Sequence, residues 1–271
     1  MDQKKLKKIL YYGLLALCLA VFIGSGIYVA HYYITGAQAD SDWDDLTDIK
    51  NNATVAPTLP TEPPTDGPTE PAPTEPTEPT ILPEYQELYN MNNDLVGWIK
   101  IPDTNVDYPV MQTPDNPNYY LDRNFYKEKS RLGALYVREL CDVDEPSDNV
   151  VIYGHYISSG KSMFAHLHKY TKKSFWQTHQ TFTFDTLYER HTYQIIAAFK
   201  TTANAGKGFP YHRFNEAKNK EEFDEFIKTV KKLDFYETGI SAEYGDKLVT
   251  LSTCEYTLDN GRLAVVAKRI S

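Results

Sequence analysis

A run of Pro-Thr-Glu repeats cuts the chain in two and limits where a fold can form. Between residues 41 and 83 an Asp-rich segment gives way to Pro60-Thr61-Glu62-Pro63, Pro68-Thr69-Glu70-Pro71 and Pro73-Thr74-Glu75-Pro76-Thr77-Glu78-Pro79. Proline fixes φ and has no backbone N–H, so at this density neither a helix nor a sheet ladder can run through. Almost no apolar side chain is available to bury either. As polyproline II, at about 3.1 Å per residue, the segment reaches up to roughly 130 Å. It reads as a disordered linker over 35–83, and a packed core must come from 84–271.

Upstream, Ile9 to Ala30 is 22 residues without a formal charge. At about 1.5 Å rise per residue it spans a hydrocarbon core about 30 Å thick. A transmembrane signal anchor is expected over 9–34, with Tyr28, Tyr32 and Tyr33 at the outer interface. Lys4, Lys5, Lys7 and Lys8 make 1–8 a basic cytoplasmic segment, which sends the C-terminus outward. Ala37-Gln38-Ala39 resembles a signal-peptide cleavage site, but a signal h-region is only about 7–15 residues, so length favours an uncleaved anchor.

Net charge is −9 over 271 residues, and its distribution matters more than its sum. The acids are concentrated in residues 40–84, and the remainder of the chain beyond them is close to neutral. No nucleic-acid surface is expected. Hydrophobic residues at 41% are enough for a core. Three cysteines, Cys18, Cys141 and Cys254, are too few for a disulfide framework. Cys18 and Cys141 read as small apolar residues. A Cys141–Cys254 bridge is the exported-protein alternative. His166-Leu167-His168 lacks neighbouring ligands at metal spacing, so no metal or other cofactor is expected.

Within 84–271, Pro83 to Asn92 predicts a short helix. Eight β-like runs follow: Val96–Ile101, Val106–Met111, Ala134–Val137, Asn149–Tyr153, Thr181–Phe184, Tyr193–Phe199, Lys247–Leu251 and Leu263–Ala267. Short strands with turns between them indicate a mainly β domain, a closed barrel or a sandwich. Glu221 to Tyr236 is the exception, with Phe223, Phe226, Ile227, Val230 and Leu233 at helical spacing.

The chemistry gathers around the last two runs. Asp259-Asn260-Gly261 is a turn signal between apolar strands, and a hairpin there sets Cys254 and Arg262 at facing strand ends. Val150-Val151-Ile152-Tyr153-Gly154-His155 is a strand ending in Gly-His. A thiol, an imidazole and a guanidinium so placed supply a nucleophile, an acid/base and an oxyanion stabiliser.

At these residues the chain resembles the sortases, specifically class B. The matching motifs are Thr250-Leu251-Ser252-Thr253-Cys254, Tyr153-Gly154-His155 and Arg262-Leu263-Ala264-Val265-Val266-Ala267-Lys268. Asn93–Ile99, Asp107–Gln112, Tyr119-Tyr120-Leu121 and Met163-Phe164 extend the likeness in the family's order. The resemblance implies a closed eight-stranded β-barrel with an N-terminal helix and a helix at about 221–236. It implies a cysteine transpeptidase on the outer face of a Gram-positive cell membrane, cleaving surface proteins at a C-terminal sorting motif after Thr. The acyl group is held on Cys and passed to an amine, a peptidoglycan precursor or a pilin Lys. By motif, Cys254 is the nucleophile, His155 the acid/base and Arg262 the transition-state stabiliser. Ser252 and Glu255 are expected to line the groove, and Asn116 or Asn118 to match a substrate-contacting Asn.

Two other readings compete. Papain-like hydrolases and cell-wall L,D-transpeptidases also pair Cys with His, within a different local signature. A non-catalytic wall-binding or adhesive module on a stalk predicts no thiol reactivity.

Overall fold

The computed structural model describes residues 3–53, 79–157 and 162–271. Most of the linker expectation therefore falls on 54–78, outside the described residues. The chain separates into two units, Met1–Asp44 and Asp45–Ser271.

Helix α1 (Gln3–Asn52) supplies the first unit. Its stretch Gln3–Ile34 is long and apolar enough to cross a membrane, by length and composition. The helix does not stop at Ile34; it continues to Asn52, so 35–52 is helical where a linker was expected. The reason lies in the prolines, which begin only at Pro57.

The second unit begins at Asp45, upstream of the expected boundary at 84. Leu46 is fully buried. Lys50 Nζ donates to Asp107 at 2.8 Å and lies 4.2 Å from the centre of the Trp98 ring. The last turns of α1 thus belong to the folded body. Helix α2 (Pro83–Met91), with proline at its start, buries Tyr85 and Leu88.

Eight strands follow: β1 (Leu95–Lys100), β2 (Asp107–Met111), β3 (Leu135–Val137), β4 (Asn149–Tyr153), β5 (Thr181–Thr186), β6 (Thr192–Thr202), β7 (Leu248–Glu255) and β8 (Gly261–Arg269). They close into a barrel in the order β1-β2-β3-β4-β7-β8-β6-β5. Closure removes the unpaired edges an open sheet would present. Most pairs are antiparallel; β2–β3 and β4–β7 are parallel. The first six residues of β7 are all buried, the pattern of a strand covered on both faces.

Two further helices lie against the barrel, α3 (Lys173–Thr178) and α4 (Lys220–Leu233). Asn219 caps α4 by accepting from Glu222 N at 2.9 Å. Phe223, Phe226, Ile227 and Val230 are buried, worth on the order of 6–10 kcal/mol of transfer free energy before ordering costs. The helix ends at Leu233, short of the expected Tyr236. Asp234 there turns its carboxylate to accept from Ala198 N on β6 at 3.0 Å, and Phe235 N donates to Ala198 O.

Candidate active site

The parallel pairing of β4 with β7 determines where the site can be. Tyr153 lies opposite Ser252, so both strands deliver their C-terminal ends to the same rim of the barrel. Asn149 anchors the pair at its other end, accepting from Thr250 Oγ1 at 2.7 Å. Past Tyr153 the chain must turn away, and Gly154 lets it do so. A Cβ there would lie 2.4 Å from Leu135 Cδ2 and 2.6 Å from Phe164 Cδ2. His155 follows, its Nε2 2.7 Å from Leu121 O. A carbonyl can only accept, so Nε2 carries the hydrogen and Nδ1 is the remaining nitrogen.

β7 runs on past the end of β4 and turns back into β8. Across this hairpin Cys254 is in register with Arg262, the facing arrangement expected from the Asp-Asn-Gly turn. Asn260 takes a left-handed φ of 50°. Gly261 permits the tight return, because a Cβ there would lie 2.3 Å from Glu255 O. Arg262 Nη1 donates to Gly261 O at 2.8 Å and Asn260 Oδ1 at 3.2 Å.

Cys254, His155 and Arg262 line a single cleft of about 400 Å³. Ser252 and Asn118 line it as well. Asn118 accepts from Tyr136 OH at 3.0 Å. The buried Ser252 hydroxyl meets Tyr211 OH at 2.6 Å. Burial, with the Cys254 side chain nearby, pushes the Tyr136 hydroxyl up to about 12; burial likewise holds Tyr211 at about 12. Both phenols therefore stay protonated donors at neutral pH.

Two expected groove residues are elsewhere. Asn116 is exposed and is not among the residues lining the cleft. Glu255 is buried, and its carboxylate turns away from the cleft to accept from Lys200 Nζ at 2.7 Å, Thr257 N at 3.0 Å and Leu258 N at 3.1 Å. Burial would raise its pKa, but Lys200 and Thr257 prevail and hold it at about 2. Glu255 thus fastens the hairpin that carries Cys254 and Arg262.

Several cleft residues carried no sequence signal. Arg138 follows β3 and donates to His212 O. Burial, then Arg138, Arg213 and Arg262, pushes the His212 imidazole down, so it is neutral at pH 7. His168, which the sequence marked only as lacking metal-ligand neighbours, places Nε2 3.0 Å from Cys254 O. Carbonyls two apart on a strand point the same way. Ser252 O accepts from Gly154 N, so Cys254 O also points toward the β4 side, where β4 has already ended, and His168 stands in for the missing strand. Cys141 is buried, its thiol pushed up by burial and directed to Asn149 O at 3.6 Å; all three cysteines are free. Among the described residues no group of three or more His, Cys, Asp or Glu is arranged to hold a metal ion.

The sortase domain family matches residues 99–270. This chain is a sortase. Within the family it is of class B. It is 34% identical over 191 residues to sortase B of Listeria monocytogenes, covering 69% of this chain and 74% of that one. The structure of a Staphylococcus aureus sortase B–substrate complex superposes with a TM-score of 0.65 at 31% identity, over 71% of this chain and 87% of that one. Bacillus anthracis sortase B in complex with AAEK1 gives 0.69 at 27% identity, over 88% and 99%. Sortases are cysteine transpeptidases that cleave sorting motifs, and the closed eight-stranded barrel of this sortase is the one those structures share.

Proposed function

We propose that this sortase is anchored in the cell membrane by residues 9–34, faces the exterior of a Gram-positive cell, and uses Cys254, His155 and Arg262 to move an acyl group from a sorting motif to an amine. The observation that carries the reading is the cleft common to these three side chains, with Cys254 opposite Arg262 across the hairpin.

Cys254 gives its thiol proton to His155, its Sγ attacks the carbonyl carbon of the motif Thr, and a C–S bond forms. Arg262 donates to the oxygen as negative charge gathers there; a guanidinium is always charged and offers its donors from a rigid plane. The C–N bond breaks, and His155 gives the departing amine its proton. An acceptor amine then attacks the thioester and loses a proton to His155; a C–N bond forms, the C–S bond breaks, and His155 returns the proton to the Cys254 sulfur. Asn118 and Ser252 position the motif from the cleft walls. The acceptor is a peptidoglycan precursor or a pilin Lys.

Incubation with a panel of sorting-motif peptides, followed by intact mass spectrometry, tests the reading. An acyl adduct on Cys254, absent from Cys254→Ala and retained in Cys141→Ala, is the expected result. A folded protein that forms no adduct with any peptide would instead indicate a non-catalytic module. Arg262→Lys keeps the charge but loses the fork, so kcat should fall about a hundredfold. A kcat within threefold would remove Arg262 from the site.

A further inference from the structure

From Tyr156 through Phe184 the sequence contains no Asp or Glu, yet it holds Lys161, Lys169, Lys172, Lys173 and three histidines. In a domain otherwise close to neutral this is a local positive excess. The structure gives it a surface. A 3-10 helix (Phe164–Thr171) and α3 turn Phe164, Leu167, Tyr170 and Trp176 inward. Lys169, Lys172 and Lys173 are left exposed. Among the described residues none of these three lysines has a carboxylate partner. By contrast Lys100, Lys127, Lys129, Lys200, Lys220, Lys228, Lys247 and Lys268 each have one.

This face has a cavity of about 510 Å³, lined by His168, Lys169, Lys172, Ser174, Phe175 and Thr178. Lys169 Nζ lies 5.6 Å from the centre of the Phe175 ring, and His179 stacks on the same ring at 3.9 Å. The cavity shares no lining residue with the catalytic cleft. It nevertheless adjoins Cys254, because His168 is both its wall and the donor to Cys254 O. The His168 ring also packs on Tyr156 at 4.0 Å, and Tyr156 on Tyr256 at 5.6 Å.

The acceptor amine must reach the thioester while the acyl half of the sorting peptide still occupies the cleft. We propose that the His168–Lys169–Lys172–Lys173 face is that approach, and that it selects a peptide amine bearing carboxylates. The inference rests on the reading that Cys254 carries the acyl group. Exposed lysines act as screened point charges, so their effect depends on acceptor charge and on salt.

The test compares two acceptors, triglycine amide and triglycine extended by two glutamates, in transfer from one sorting peptide. At low salt the acidic acceptor should be preferred by about fivefold to tenfold in kcat/KM, and the preference should shrink at 0.5 M NaCl. In Lys169→Gln/Lys172→Gln/Lys173→Gln the ratio should collapse to about one. Each enzyme is its own control, since the ratio is taken within one preparation. A wild-type ratio near one overturns the proposal, as does a preference that survives in the triple variant. If the sorting peptide alone leaves no adduct on Cys254, the parent reading fails, and this one with it; an adduct without acceptor selectivity sinks only this one.

Discussion

Glu255 is the sharpest place to test how the hairpin is held. Its carboxylate is buried one residue from Cys254 and accepts from Lys200, Thr257 and Leu258. A carboxylate ordinarily near 4.5 is held at about 2. At about 1.36 kcal/mol for each tenfold change in proton affinity, that difference corresponds to about 3 kcal/mol of stability at neutral pH. The sign follows from the direction. A depressed folded pKa adds stability above the ordinary value, and that stability is lost as pH falls from about 4.5 toward 2. Several donors divide the effect, and Lys200 is partly exposed, so Lys200→Met should cost about 1–2 kcal/mol rather than the whole. For a domain of this size that is a Tm lower by about 3–6 °C.

The assay is urea unfolding of wild type and Glu255→Gln from pH 7 to pH 2.5. Wild type should be the more stable at pH 7, and the gap should close through pH 4.5 to 2.5, because Gln has no proton to gain. Two curves falling in parallel would refute the reasoning, since other carboxylates would then account for all the acid sensitivity.

Three further outcomes follow. Tyr211→Phe strands the buried Ser252 hydroxyl, which should cost about 1–2 kcal/mol in urea unfolding and lower kcat/KM, since both residues line the cleft. A fragment beginning at 84 should be less stable than one beginning at 45 by about 2–4 kcal/mol, having lost the buried Leu46 and the Lys50–Asp107 pair; equal Tm values would return the boundary to 84. His168→Phe keeps the ring against Tyr156 but removes the donor to Cys254 O, so kcat should fall about fivefold to tenfold with little change in KM, and His168→Gln should recover most of the loss.

What the sequence disclosed follows from the range of the forces involved. The eight strands were legible because each is a short β-branched or aromatic run between turn residues, a local signal. The Cys254–Arg262 pairing was legible because Asp259-Asn260-Gly261 sets a hairpin, and a hairpin sets register. Strand order was not legible in the residues themselves, since β4 meets β7 only after two strands and two α-helices intervene. His155 was joined to Cys254 by likeness to a family, not by anything in the local sequence. The same limit hid His168, whose role depends on β4 stopping short of Cys254 O.

Glu255 is a different kind of miss, because the information was present. Neighbours on a strand point to opposite faces. Ser252 and Cys254 share one face, so Glu255 takes the other, and a residue adjacent to Cys254 in sequence is turned away from the cleft. Its same-face neighbour Thr253 still lines the cleft, so it is the turn of the Glu255 carboxylate toward Lys200 and Thr257 that completes the exclusion. The pairing with Lys200 across the barrel wall then explains why a carboxylate is tolerated in that buried position, one residue from the thiol. The hairpin that holds Cys254 and Arg262 opposed is thus fastened by an ion pair that lies outside the cleft. That separation of holding from reacting is why Glu255→Gln should act first on stability, whereas Cys254→Ala should act on turnover alone.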